Sequence, residues 1–236
     1  MPTRNRPLLA VLIDADNVPS KHAEAILNEI ADYGEPALRR VYGDWSSAGL
    51  QGWTEAVRTQ GLVAQQESAN TKGKNASDIG LVIDAMDIMH TGRFDGFVLV
   101  SSDSDFTALA NRIREQGLEV IGIGEQKTPE SLRNVCNRFV FIENIVDTDP
   151  TQAGPKTKSK KLPVKHAESL IFSAMKKAES DDDWYLLSRL ANHINATKSD
   201  FDPRTYGHNK LSDLVKSLDR FETRKIGTII SVRKVK

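Results

Sequence analysis

From Leu8 to Ile142, apolar and polar residues alternate in blocks. Short apolar or β-branched runs occupy Leu8 to Ile13, Ala37 to Tyr42, Leu62 to Ala64, Phe97 to Val100, Val120 to Ile123 and Phe139 to Ile142. Runs of this length, bounded by turn residues, predict buried strands. Between them, apolar residues recur at helical spacing over Ser20 to Tyr33, Leu50 to Gln60, Ala76 to His90, Asp105 to Gln116 and Pro129 to Asn134. Gly34, Gly61 and Gly117 stand where three of these helices should end. Strand and helix in alternation predict an α/β fold, a doubly wound parallel sheet with helices on both faces.

The texture then changes. Asp147 to Lys165 holds Pro150, Gly154, Pro155, Pro163 and a lysine run with almost nothing to bury, and reads as a flexible linker. Beyond it, His166 to Glu179, Trp184 to Asn195 and Pro203 to Asp219 have helical spacing, and Phe221 to Lys225 with Ile229 to Val235 form a ribbon turning at Gly227. Three helices followed by a hairpin is the order of a winged helix. The expected organisation is an α/β domain over 1–146, a basic linker over 147–165 and a small winged-helix domain over 166–236.

Charge distinguishes the two regions. The 236 residues carry 32 Lys+Arg and 32 Asp+Glu, but residues 1–150 hold 14 against 22 and residues 151–236 hold 18 against 10. Five of the distal cations (Lys156, Lys158, Lys160, Lys161, Lys165) belong to the linker, leaving a mild excess beyond it. A single cysteine, Cys136, excludes a disulfide framework and any Cys-rich zinc site. It reads as a small buried apolar residue. The apolar run after Arg4 and Arg6 is too short for a signal peptide, and no segment approaches a membrane span. A cytoplasmic protein without membrane contact is expected.

The candidate chemistry lies where apolar runs end in acid. LLAVLIDADN delivers Asp14 and Asp16, and FVLVSSDSDF delivers Asp103 and Asp105. In open parallel sheets ligands sit at the carboxyl ends of strands, and acidic clusters meeting there repel unless a cation lies between them. A third contribution comes from KNASDIGLVIDAMDIM, where the stripe Ile79, Val82, Ile83, Met86 is expected to pack on the sheet with Asp78 beside it at the helix start. Asp84 is displaced about 240° around the axis from Asp78 and reads as a solvated or outer group. Oxygen ligands suit Mg²⁺ or Mn²⁺, with no histidine base required; the five histidines show no ligand spacing. Asn17 and Ser102 are candidates to orient the carboxylates from outside, and Lys72 and Lys74 to reach phosphate. Against a site stands the common role of Asp as a helix N-cap, which Asp105 would fill. Trp45 and Trp53 are expected in the core.

LIDADN at 12–17, KNASDIGLVIDAMD at 74–87 and SSDSDF at 101–106 together resemble the signature segments of the NYN domain, LabA-like branch, a relative of PIN-domain nucleases, over residues 7–145. The resemblance implies a PIN-like fold and metal-dependent RNA cleavage by Asp14, Asp78, Asp103 and Asp105, with Asn17 in support; related domains vary at the position of Asp16. FDPRTYGHNKLSDLVKSLDRFE at 201–222 resembles the LOTUS domain, also called OST-HTH. That likeness implies RNA binding and, in some members, protein binding. Arg204, Tyr206, Lys210 and Lys216 are its candidate contacts, cations for phosphate and a ring for a base.

Three functions are open at this point. The first is a Mg²⁺- or Mn²⁺-dependent ribonuclease whose basic module holds single-stranded RNA. The second is a phosphatase of the haloacid-dehalogenase type, since Asp14-Ala15-Asp16-Asn17-Val18 fits its DxDxV nucleophile motif, although no cap insertion accompanies it. The third is an RNA-binding adaptor without turnover. GIGEQ at 122–126 lacks the spacing of a dinucleotide loop and is set aside.

Overall fold

A computed structural model describes residues 6–66, 76–146, 161–178, 180 and 183–235. The chain divides into two compact units, residues 1–155 and 156–236. The first contains strands β1 (Leu8–Asp14), β2 (Glu35–Gly43), β3 (Val63–Gln66), β4 (Gly96–Val100), β5 (Glu119–Gly124) and β6 (Arg138–Phe141). They form one parallel sheet in the order β3-β2-β1-β4-β5-β6. The order reverses between β1 and β4, which makes the crevice beyond their carboxyl ends the topological switch point.

Helices cover both faces: α1 (Ala23–Tyr33), α2 (Gln51–Gln60), α3 (Ala76–His90), α4 (Thr107–Glu115), α5 (Glu130–Val135) and the short α6 (Ile142–Val146). Alternate residues of β1 feed the two cores. Leu9, Val11 and Ile13 pack with Ile26 and Ile30 of α1 and Trp53 of α2, while Ala10 and Leu12 pack with Leu81, Ala85 and Ile88 of α3. Burial on both sides is why the strand reads as an unbroken apolar run rather than an alternating one. Each fully buried Leu, Ile or Val contributes about 1.5–3 kcal/mol. The GIGEQ glycines lie in and at the end of β5: a Cβ at Gly122 would come within 2.5 Å of the Phe139 ring, and one at Gly124 within 2.7 Å of the Ser101 carbonyl. They make room for packing and build no phosphate loop.

The face that α3 turns inward is rotated from expectation: Val82 and Met86 of the expected stripe pack partly buried against the sheet core, but its other two members do not. Ile79 and Ile83 are 60% and 58% exposed, while Leu81, Ala85, Ile88 and Met89 are buried. This helix is apolar nearly all round, so two i, i+3, i+4 stripes compete and spacing alone does not choose between them. At about 100° per residue, Asp78 falls in the middle of the face that wins. Asp84 is not solvated either: it pairs with Arg40 of β2 and accepts the Tyr42 hydroxyl. Burial and the Asp84 carboxylate together push the Tyr42 phenol far up, holding it protonated as the donor. This contact clips α3 to β2.

The second unit runs α7 (Val164–Met175), β7 (Tyr185–Leu186), α8 (Leu187–Thr197), a 3-10 turn at Pro203–Tyr206, α9 (Leu211–Lys216), β8 (Phe221–Ile226) and β9 (Ile229–Lys234). The strands make an antiparallel sheet in the order β7-β9-β8. With Ile171, Leu190, Ile194, Leu214, Val215 and Val232 forming one core, this is a winged helix. Its first helix begins at Val164, inside the span read as linker; residues 147–160 lie outside the described residues. The expected third helix is broken, because Asp202 caps the 3-10 turn by accepting from Arg204 N at 2.8 Å and Gly207 ends it at φ 86°. Among the described residues, no helix is long and apolar enough to cross a membrane.

Candidate active site

The last residue of β1, Asp14, is 1% exposed. Its Oδ1 accepts the backbone N–H groups of Asp16 (3.1 Å) and Asn17 (3.3 Å), and its Oδ2 accepts Asn17 Nδ2 (2.7 Å) and Ser101 Oγ (2.8 Å). The loop after β1 is therefore wound on this carboxylate, and its four acceptor positions are filled. Burial pushes the Asp14 carboxyl up, against the hydrogen bonds from Ser101 and Asn17 that pull it down, and the net direction is upward.

Ser101 ties the ends of β1 and β4 together. Its hydroxyl donates to Asp14 and accepts from Asp103 N at 3.1 Å. Asp103 in turn accepts from Asp105 N at 2.9 Å and caps the 3-10 turn Ser104–Phe106 that leads into α4. The cap is thus Asp103, not Asp105. From the third element, Ser77 Oγ donates to Asp16 Oδ2 at 2.9 Å. Asp78, half-buried on the inward face of α3, is pushed up to about 6, first by burial and then by the charges of Asp14, Asp103, Asp16 and Asp105. Carboxylates from β1, α3 and the loop after β4 thus share one electrostatic environment at the switch point. Among the described residues, however, no three His, Cys, Asp or Glu side chains are grouped closely enough to hold a metal ion.

Some residues singled out from the sequence stand elsewhere. Ser102 Oγ accepts from Glu125 N at 2.9 Å and braces the end of β5, so the hydroxyl that supports the acids is Ser101. Lys72 and Lys74 lie outside the described residues. Trp53 is buried, its indole N–H donating to Val18 O at 3.0 Å, and Trp45 is partly buried. Cys136 is buried and its thiol is pushed up to about 12 by that burial, which leaves it inert. A 470 Å³ cavity opens beside the acids, lined by Asp16, Asn17, Ser20, Lys21, Ser47 and Glu125 among others.

In the second unit, Tyr206 is 7% exposed and packs in the core against Phe201, with its hydroxyl 3.1 Å from His166 Nδ1. A ring so placed is not available to stack a base. Arg204 is committed to the Asp202 carboxylate through Nε (2.9 Å) and Nη2 (2.7 Å). Lys210 and Lys216 are exposed.

Comparison with known proteins agrees with this architecture. The NYN domain family matches residues 8–143, and the OST-HTH/LOTUS domain family matches residues 158–231. An uncharacterized protein of Methanocaldococcus jannaschii is 26% identical over 166 residues, covering 68% of this chain and 65% of that protein's length. A crystal structure of a protein of unknown function from Vibrio parahaemolyticus is similar in fold, with TM-score 0.51 at 22% identity over 60% of this chain and 96% of the other. A solution structure of an uncharacterized protein from Nitrosomonas europaea is 32% identical over 37% of this chain and 86% of its own, with TM-score 0.27. With three acidic segments meeting at the switch point of a parallel sheet and a winged helix following, the chain belongs to the NYN domain family, within the PIN-like nuclease superfamily, and carries an OST-HTH/LOTUS domain after it.

Proposed function

We propose that the first unit is a divalent-cation-dependent ribonuclease and that the second unit holds its RNA. The observation that carries this reading is that the ends of β1 and β4 and the start of α3 are tied together, Asp14 to Asp103 through the Ser101 hydroxyl and Asp16 to Ser77, with Asp78 beside them pushed up to about 6 first by burial and then by their charges. Like charges concentrated at a switch point destabilise the fold unless a cation offsets them. An all-oxygen donor set fits a hard ion such as Mg²⁺ or Mn²⁺. Asp78, Asp103 and Asp105 are the residues that would hold it, and they would have to draw together to do so, since no three acids among the described residues are grouped closely enough for an ion as they stand; Asp14 would join them on releasing one donor, the 3.3 Å bond from Asn17 N being the longest. When bound, such an ion supplies charge stabilisation to a phosphodiester and lowers the pKa of a coordinated water.

The chain's own contribution is positional. Ser101 and Asn17 fix Asp14, Asp103 is fixed by the turn it caps, and the Arg40–Asp84 pair sets the seat of α3 and with it Asp78.

The test is cleavage of end-labelled single-stranded RNA by the purified chain, with Mg²⁺ or Mn²⁺ and with EDTA. Shortening that needs added metal and is lost in Asp103→Asn is expected. Undiminished turnover in that variant would refute the assignment, and RNA bound but never shortened in any metal would leave an adaptor.

A further inference from the structure

The positive charge of the second unit is not spread over it. Residues 156–165 carry five lysines and no acid, residues 166–219 carry seven Lys+Arg against nine Asp+Glu, and residues 220–236 carry six against Glu222 alone. The three-helix body is thus net −2, although it includes the helix that enters the groove in many winged-helix proteins. The segment 220–236, which contains the β8–β9 hairpin, is net +5. Of its cations, Arg220 pairs with Glu168 and Arg233 with Glu222, while Arg224 and Lys225 are exposed with no acidic partner among the described residues.

The outer face of this hairpin is built. Register pairs Glu222 with Arg233, Arg224 with Ser231 and Ile226 with Ile229. Phe221 and Val232 face the core, so by alternation these three pairs share the side turned away from it. Trp184, one residue before β7, lies on the same side. The Arg224 guanidinium sits 4.3 Å and the Arg233 guanidinium 4.7 Å from its ring centroid. Two guanidiniums held over one indole have lost rotamer freedom before any ligand arrives, so less is lost on binding. At the tip, around the Gly227–Thr228 turn with Gly227 at φ 60°, Ile226 and Ile229 are 66% and 56% exposed. Cations along the stem and an apolar tip combine a phosphate-binding rail with a surface on which an unpaired base can lie.

We infer that this outer face of the wing, centred on Trp184, Arg224 and Arg233 and extended by Ile226 and Ile229, is where the second unit binds single-stranded RNA. The inference rests on the proposal that this unit holds RNA, and moves the contact off the third helix. Complementarity of charge decides for RNA: the wing is the cationic part of the folded module, and the first unit, with 14 Lys+Arg against 22 Asp+Glu over residues 1–150, repels a polyanion.

The experiment is fluorescence anisotropy of a labelled oligouridine with the full chain in EDTA, so that binding is read without cleavage. Arg224→Glu/Arg233→Glu should weaken binding tenfold or more and lower the slope of log K against log salt by about 1.4, two single-strand phosphate contacts at about 0.7 each. Lys210→Ala/Lys216→Ala should stay within about twofold, as expected of residues outside the contact. Matched circular dichroism keeps folding out of the comparison. Wing variants that bind as tightly as the native chain while helix variants lose affinity overturn the inference and leave RNA binding standing. A native chain that does not bind the probe at low salt overturns both.

Discussion

Replacing Asp78 by Asn should make the metal-free protein more stable. Asp78 lies half-buried on the inward face of α3, with Asp14, Asp103, Asp16 and Asp105 as its charged neighbours, and its carboxyl titrates near 6 instead of the ordinary 3.8. The folded chain therefore holds this proton more tightly than the unfolded chain. Below 3.8 both states are protonated and no penalty exists. As pH rises from 3.8 to about 6 the unfolded chain ionises first, stability falls, and above 6 the whole penalty is carried. At about 1.4 kcal/mol per pH unit the interval amounts to about 3 kcal/mol. Water screens a half-buried group, so roughly half of that is expected to survive, on the order of 1.5 kcal/mol. Asn keeps the shape and removes the charge. In EDTA at neutral pH, Asp78→Asn should melt about 3–6 °C above the native chain, and near pH 4 the difference should shrink toward zero. Adding Mg²⁺ or Mn²⁺ should raise the native melting temperature and move the variant less, because only binding to the folded state stabilises it. Calorimetry across this pH range, with and without metal, is the assay. A variant less stable than the native chain in EDTA, by an amount that does not change with pH, would refute the claim that carboxylates crowd this site.

The remaining predictions concern the supports of the site. Ser101→Ala removes a donor to buried Asp14 and the acceptor of Asp103 N, and should cost about 1–3 kcal/mol in urea unfolding while lowering RNA cleavage; equal activity and stability would show that Ser101 is incidental. Leu81→Ala should cost about 2–5 kcal/mol, whereas Ile83→Ala, at a position 58% exposed, should stay within about 0.5 kcal/mol; the reverse order would mean that α3 seats its other stripe. Arg40→Met and Asp84→Asn should show a coupling of about 0.5–3 kcal/mol in a double-mutant cycle on stability, and additivity would remove the clip between α3 and β2.

Strands β1, β4, β5 and β6 are legible in the sequence because burial on both faces leaves contiguous apolar runs, whereas β2 and β3, toward the other edge, are partly exposed and show only short or interrupted ones. What was hidden depends on partners distant in sequence. The inward face of α3 was ambiguous because Asp84 acts as part of the buried side only when Arg40 and Tyr42 meet it across the sheet. Tyr206 and Arg204 looked like RNA contacts because their occupants, the core around Phe201 and the Asp202 carboxylate, are visible only once the 3-10 turn has formed.

Ser101 is the instructive omission, since a signal for it exists. Ile13 of β1 pairs with Val100 of β4, so one further step along both strands sets Asp14 beside Ser101. Laying the two apolar runs side by side by their carboxyl ends, LLAVLID against GFVLVS, yields that neighbour from the sequence once β1 and β4 are assumed adjacent. The sequence itself suggests that adjacency, since of the six apolar runs that mark strands only these two lead into a pair of aspartates spaced two apart. Reading the hydroxyl at 101 as the partner of the carboxylate at 14 then requires no coordinates. Ser102, one residue later, belongs by strand parity to the other side, where it holds the end of β5.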